Sequence, residues 1–239
     1  MARLQRKRLA REEQVTGDPS GQLATVTSPL NAASEAYRTL RTNLLYTLLD
    51  TPPKVIVVTS PGPMEGKSTT CANLGVVLAQ AGKSTLILDC DFRQPAIHKI
   101  FGLRNLLGVA NVLIGERSLQ EIWHEPLPGL KVGIAGSIPP LPAELFGTNR
   151  FADLLGQVRQ EFDYVLVDAP PTNLVSDSAI LAAQGDGVVL VIDSQKTRRG
   201  SVRQAMRGLE AVGAHVLGTV MNNAKVSESN YSTAANLYE

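Results

Sequence analysis

Pro61-Gly62-Pro63-Met64-Glu65-Gly66-Lys67-Ser68-Thr69 is the stretch that decides the fold. It follows the apolar run Val55-Ile56-Val57-Val58 and precedes a helix-like run from Thr70 to Ala81. Strand, Gly-rich loop, lysine, hydroxyl and helix form the layout of a phosphate-binding P-loop. In that layout backbone N–H groups cradle phosphates at a helix N-terminus, where the dipole favours negative charge. Lys67 offers a point charge to the β- and γ-phosphates, and Ser68 offers an oxygen to Mg²⁺. The usual first glycine, six places before the lysine, is Pro61 here, and Gly62 comes one place late. Pro61 and Pro63 donate no N–H, so the cradle falls to Met64, Glu65, Gly66, Lys67 and Ser68, with Thr69 beside it. An ordinary Gly/Pro turn is the competing reading, and the strand and helix on either side argue against it.

Two acidic segments follow on later strands. Thr85-Leu86-Ile87-Leu88 is a buried-strand run that ends in Asp89-Cys90-Asp91-Phe92-Arg93. Carboxylates at alternate positions of a strand point the same way, and Arg93 is placed to contact them or a phosphate. Tyr164-Val165-Leu166-Val167 closes on Asp168, then Ala169-Pro170-Pro171. An Asp at the C-terminal edge of a parallel strand beside a P-loop polarises water on Mg²⁺. Each segment alone is weak, because strands often end in Asp. Together and in order they indicate a nucleoside triphosphate with Mg²⁺.

The Asp-x-Asp-x-Arg pattern at 89–93 resembles the extra acidic Walker motif of the bacterial protein-tyrosine kinases, which regulate capsular and exopolysaccharide export. Glu35-x-x-Arg38-x-x-Arg41 resembles that family's oligomerisation motif, and Pro139-Pro140-Leu141-Pro142-Ala143-Glu144-Leu145 its Pro-rich stretch before a helix. Val167-Asp168-Ala169-Pro170-Pro171 matches its third Walker element, and a short tail carries Tyr231 and Tyr238. The resemblance runs from about Glu35 to the C-terminus. Two departures stand out: only two tail tyrosines, where the family often has a longer cluster, and Met64 where a Gly is common.

The resemblance implies phosphoryl transfer from ATP to tyrosine hydroxyls, by a kinase that regulates polysaccharide synthesis and export. Lys67, Asp89, Asp91 and Asp168 are then catalytic, with Ser68, Asp168 and one paired Asp around Mg²⁺. The other paired Asp, by preference Asp89, takes the phenol proton. Tyr231 and Tyr238 are the phosphoacceptors, offered to a neighbouring subunit. It also implies a ring or other symmetric homo-oligomer held partly by Glu35, Arg38 and Arg41. The split arrangement further implies a cytoplasmic chain, activated by the cytosolic tail of a membrane polysaccharide co-polymerase and recruited through it to the inner face of the membrane.

Composition fits a soluble α/β enzyme. Of 239 residues, 44% are apolar and 19% charged, an ordinary globular balance. A net charge of +1 gives no general bias toward nucleic acid. Cys71 and Cys90 make no disulfide framework and read as small buried residues. No apolar run approaches the roughly eighteen residues of a membrane span.

Residues 1–30 read as a flexible arm with a basic start at Arg3, Arg6, Lys7, Arg8 and Arg11. Residues 31–224 read as the kinase domain, and 225–239 as a flexible tyrosine tail. Strands are expected near 54–59, 85–89, 130–135, 163–168, 187–193 and 215–221. The stretches between them are long enough for crossover helices, which gives a doubly wound, mostly parallel sheet with helices on both faces, P-loop NTPase-like.

A first helix is expected from Ser34, as cap, to Leu49. Arg41 lies close to its apolar stripe of Tyr37, Leu40, Leu44 and Leu48. That position suits either a stem laid on the core or a salt bridge between subunits, and the family resemblance favours the second. Trp123 reads as a packing residue, and His98, His124 and His215 show no metal spacing. Asn222 and Asn223 follow the last strand, where a side-chain amide can read an adenine edge or simply make a turn. Two other functions fit a P-loop protein. A partition or division-site ATPase carries a second Lys at the slot that Gly62 occupies, which argues against it. A non-catalytic regulator that binds ATP only to assemble is the other.

Overall fold

The computed structural model describes residues 21–47, 52–137 and 142–224. Seven strands form one sheet: β1 (Val55–Thr59), β2 (Thr85–Asp89), β3 (Trp123–Leu127), β4 (Leu130–Gly133), β5 (Tyr164–Asp168), β6 (Gly187–Asp193) and β7 (Val216–Asn222). Their order is β3-β4-β2-β5-β1-β6-β7. Every pairing is parallel except β3 with β4. The six expected strands are present within two residues at each boundary.

Strands β1, β2 and β5 are buried along their whole length, as a sheet covered on both faces requires. Period-two alternation splits them between two cores. Val55 and Val57 pack in one core and Ile56 and Val58 in the other. The first core lies under α5 (Val109–Leu113), α6 (Pro142–Phe146), α7 (Asn149–Glu161), α8 (Asp177–Gln184) and α9 (Arg199–Ala211). The second lies under α1 (Ala24–Thr27), α2 (Ala32–Thr47), α3 (Lys67–Gln80) and α4 (Ile97–Ile100).

The unexpected strand is β3. His124-Glu125-Pro126 inside it hides any alternation, and it survives as an antiparallel edge strand, where Pro is tolerated. Trp123 packs as expected, edge-on to Phe162 with ring centroids 5.8 Å apart.

Two local expectations change. Helix α2 starts earlier than Ser34. Asn31 accepts the Ser34 N–H at 2.8 Å and is the cap, while the Ser34 hydroxyl donates to the Ser28 carbonyl. The segment expected as a flexible arm through residue 30 is packed at its end. Leu23 is fully buried, and the Thr25 N–H and hydroxyl both donate to Asn73 Oδ1, at 3.0 and 2.9 Å. Asn73 Nδ2 in turn donates to the Gln22 carbonyl at 2.8 Å. The polar, turn-rich composition hid this strap because its partner lies on α3, far along the chain. The basic start of the arm, Pro139 to Leu141, and the tail with Tyr231 and Tyr238 lie outside the described residues.

Candidate active site

Strands β2, β5 and β1 are neighbours at the sheet centre and end on one edge. Asp89 is in register with Asp168, and Asp168 with Val58. The P-loop after β1 and the acids that close β2 and β5 therefore meet at one place, as the sequence predicts.

Gly66 caps α3 with φ +94°, and a Cβ there would overlap the Asn222 side-chain amide. Only glycine meets both conditions. Met64 adopts φ +59° and is 82% exposed. A side chain in this left-handed region costs about 1–2 kcal/mol, so the loop holds strain that a glycine would lack.

Glu65 is buried and fixes the loop from the side. Its carbonyl accepts from Asn222 Nδ2 at 3.1 Å, and its Oε1 accepts from the Thr197 hydroxyl at 2.8 Å. Thr197 in turn accepts the Asp193 N–H at 3.0 Å. Burial pushes the Glu65 carboxyl up, and its Oε2 has no partner among the described residues. Thr197→Val removes the hydroxyl donor and leaves this buried carboxylate only the Gly62 backbone as a hydrogen-bond donor. The expected result is nucleotide binding weakened by about tenfold with a small drop in Tm. A nucleotide titration and a thermal melt check it.

Below the loop sits a buried charge cluster. Lys67 Nζ lies 2.7 Å from Asp91 Oδ2, 3.5 Å from Asp168 Oδ1 and 3.1 Å from the Ser68 hydroxyl. Burial alone would lower the lysine pKa. The carboxylates of Asp168 and Asp91 outweigh it and raise the pKa above the ordinary value, so the ammonium stays charged. Burial pushes the Asp168 carboxyl up against the pull of Lys67. Burial and the Asp168 charge push Asp89 up as well.

The paired acids are not equivalent. Strand β2 stops at Asp89, so strand alternation does not carry on to Asp91. Asp89 is fully buried, and its two oxygens accept the N–H groups of Asp91 and Ile97, at 3.2 and 3.1 Å. Asp91 lines a cleft of about 650 Å³ together with Gly66, Lys67, Ser68, Thr69 and Arg93. Both acids are buried, but Asp91 lies on the cleft side and Asp89 holds the loop beneath it.

Arg93 contacts neither paired acid. It forks onto Asp177, with Nε 3.0 Å from Oδ2 and Nη2 3.4 Å from Oδ1. Asp177 is a buried acid that no sequence motif marked. Asn222 and Asn223 sit beside the loop, not in the cleft. Asn222 Nδ2 donates to Glu65 and Asn223 Nδ2 to Asp193 Oδ2 at 2.9 Å, so both amides have protein partners. Cys71 and Cys90 are buried, and burial raises both thiols well above their usual range.

The residues present fit Mg²⁺. Asp168 Oδ2 is buried with no hydrogen-bond partner among the described residues, and the Ser68 hydroxyl bonds to the same carboxyl group. No group of three or more His, Cys, Asp or Glu among the described residues would hold a metal alone.

The Glu35, Arg38 and Arg41 set lies on α2. Arg38 donates to Glu35 at 2.8 Å and to the Pro29 carbonyl at 2.6 Å. Arg41 donates to the Val77 carbonyl in the last turn of α3 at 3.3 Å, while its buried Nε has no partner among the described residues.

The AAA_31 family, an AAA domain, matches residues 54–222. The chain is 39% identical over 204 residues to the tyrosine-protein kinase YwqD of Bacillus subtilis, covering 85% of this chain and 86% of that protein. This chain belongs to the bacterial tyrosine-protein kinases. The crystal structure of the chimerical protein CapA2B2 superposes on this kinase with a TM-score of 0.83 at 34% identity, covering 89% of this chain and 95% of that one. The kinase domain of the Escherichia coli tyrosine kinase ETK gives 0.80 at 29% identity, covering 86% and 82%. Among the described residues of this kinase no helix is long and apolar enough to cross a membrane.

Proposed function

We propose that this kinase transfers the γ-phosphoryl group of ATP to tyrosine hydroxyls, with Tyr231 and Tyr238 of a neighbouring copy as acceptors. The observation that carries the reading is Lys67 held between Asp91 and Asp168 at the foot of the cleft. Phosphates in the loop compete with these carboxylates for the ammonium. As Lys67 turns toward them, Asp91 loses its close cation and becomes the acceptor facing the cleft. A phenol has a pKa near 10, so a positioned carboxylate is needed to receive its proton at neutral pH. We assign that role to Asp91, and to Asp89 the positioning of the Asp91–Ile97 loop. Ser68 and Asp168 would hold Mg²⁺, which when bound neutralises charge on the phosphate oxygens. The N–H groups of Met64 to Thr69 cradle those oxygens, and Glu65 with Asn222 fixes the cradle.

The activity then regulates capsule or exopolysaccharide synthesis and export. The domain runs to residue 224, and the tail carries the acceptors. The chain works at the inner face of the membrane, brought there by the cytosolic tail of a polysaccharide co-polymerase. Incubation with ATP and Mg²⁺, with and without an activator peptide, tests the assignment by anti-phosphotyrosine blot and mass mapping. Phosphotyrosine is expected. Its absence in every condition, or wild-type levels in Asp91→Asn, Asp89→Asn and Asp168→Asn alike, would overturn the reading.

We also assign Glu35, Arg38 and Arg41 to contacts between copies. The Glu35–Arg38 pair is exposed, and an exposed pair alone adds little stability to the monomer. Replacing all three with Ala should give a smaller species by light scattering. An unchanged mass counts against the assignment.

A further inference from the structure

The start of α9 carries a concentration of charge that neither the fold nor the cleft uses. Residues 196–207 hold Lys196, Arg198, Arg199, Arg203 and Arg207 and no acid, in a chain whose net charge is only +1. Arg198, Arg199, Arg203 and Arg207 are all exposed. None makes a side-chain hydrogen bond or ion pair among the described residues, and α9 is held to the core by Ala205 and Leu209 instead. At 100° per residue Arg199, Arg203 and Arg207 fall on one flank of the helix, over about 12 Å. The first-turn N–H groups add positive potential at the Arg199 end.

The chain leaves the sheet beside this flank. Asn223, just after β7, has its carbonyl held by the Ser194 hydroxyl at 2.7 Å and by Gln195 Nε2 at 3.1 Å. Its side chain is held by Asp193, which Lys196 also approaches at 3.8 Å. The root of the tail is thus tied to the loop that opens α9. Tyr231 lies seven residues beyond Ala224, a reach of up to about 25 Å, and Tyr238 about twice that. Both can fold back onto the arginines. Residues 225–239 carry one Lys and two Glu, a formal charge of −1. Each phosphotyrosine adds nearly two more negative charges.

We propose that Arg199 and Arg203 at the start of this flank, with the N-cap residue Arg198, form a phosphotyrosine-binding site for the chain's own phosphorylated tail. This rests on the reading that Tyr231 and Tyr238 accept phosphate. Guanidinium forks match phosphate oxygens in pairs, which a general attraction to acids does not require. Unmodified, the tail has little charge to offer. Once phosphorylated, it is drawn out of reach of a neighbouring cleft and parked on its own subunit.

The test uses the dephosphorylated full chain and a labelled synthetic peptide of residues 225–239 with phosphate on both tyrosines, read by fluorescence anisotropy. The phosphopeptide should bind, and the unphosphorylated peptide should bind at least about tenfold more weakly. Arg198→Ala/Arg199→Ala/Arg203→Ala should lose about tenfold or more, while Lys83→Ala, exposed elsewhere, should bind as wild type. Equal binding of both peptides, or wild-type affinity in the triple variant, overturns the proposal. So does capture of phosphatidylserine vesicles by these arginines with no capture of phosphopeptide. The peptide arrives already phosphorylated, so a chain that makes no phosphotyrosine can still pass. A working kinase whose arginines ignore the peptide fails here alone.

Discussion

Lys67→Met is expected to lower phosphotyrosine formation by about 10²–10³-fold, the scale on which one charge aimed at a transferring group acts. Methionine keeps the apolar stem and removes the ammonium, so the loss reports charge rather than packing. Stability should respond as well. In the wild type the ammonium stays charged and compensates Asp91 and Asp168. Without it, two carboxylates stand together in a buried site, and a proton must neutralise one of them. A carboxyl whose folded pKa lies above its unfolded value of about 3.9 costs stability once it ionises, and that cost disappears as pH falls. The direction is already upward for Asp168 and Asp89 in the wild type. The variant should therefore gain more Tm than the wild type on going from about pH 8 to pH 5. Thermal melts at both pH values check this, beside the phosphotyrosine blot. Wild-type phosphorylation in the variant would remove Lys67 from the mechanism.

The parts of this site that were legible in sequence are those built from consecutive residues. A strand, loop and helix around Lys67 need only local chain geometry, and so do the runs that end in Asp89 and Asp168. The parts that were not legible are long-range pairs. Glu65 depends on Thr197 and Asn222, at sequence separations of 132 and 157. Arg93 depends on Asp177, 84 residues away. Nothing near Glu65 or Arg93 in the chain marks those partners. The difference in placement between Asp89 and Asp91 has a simpler cause. Alternation places two carboxylates on one side only while the strand continues, and β2 ends at the first of them. Asp89 then accepts the Asp91 N–H, and that turn aims Asp91 at Lys67.

Tyr231→Phe/Tyr238→Phe is expected to remove most of the phosphotyrosine signal while leaving ATP binding and Tm unchanged. The structure narrows the competing acceptors. Tyr164 is buried in the sheet, and burial raises its phenol pKa. Tyr37 is half-buried beside Thr70, and burial raises it too. Among the described tyrosines only Tyr46, 67% exposed on α2, could enter a second molecule's cleft without unfolding. Phosphorylation of the wild-type tails adds nearly two negative charges at each site. Tails crowded into one oligomer would repel each other, and the phosphorylated protein should shift toward monomer. Salt screens this repulsion over a Debye length of about 10 Å at 0.1 M, so the shift should be larger at low ionic strength. Light scattering before and after ATP treatment, at two salt concentrations, measures it, and the double Phe variant should show no shift. Mass mapping that finds phosphate on Tyr46 alone would remove the tail from the reaction and leave the Lys67 site as the kinase centre.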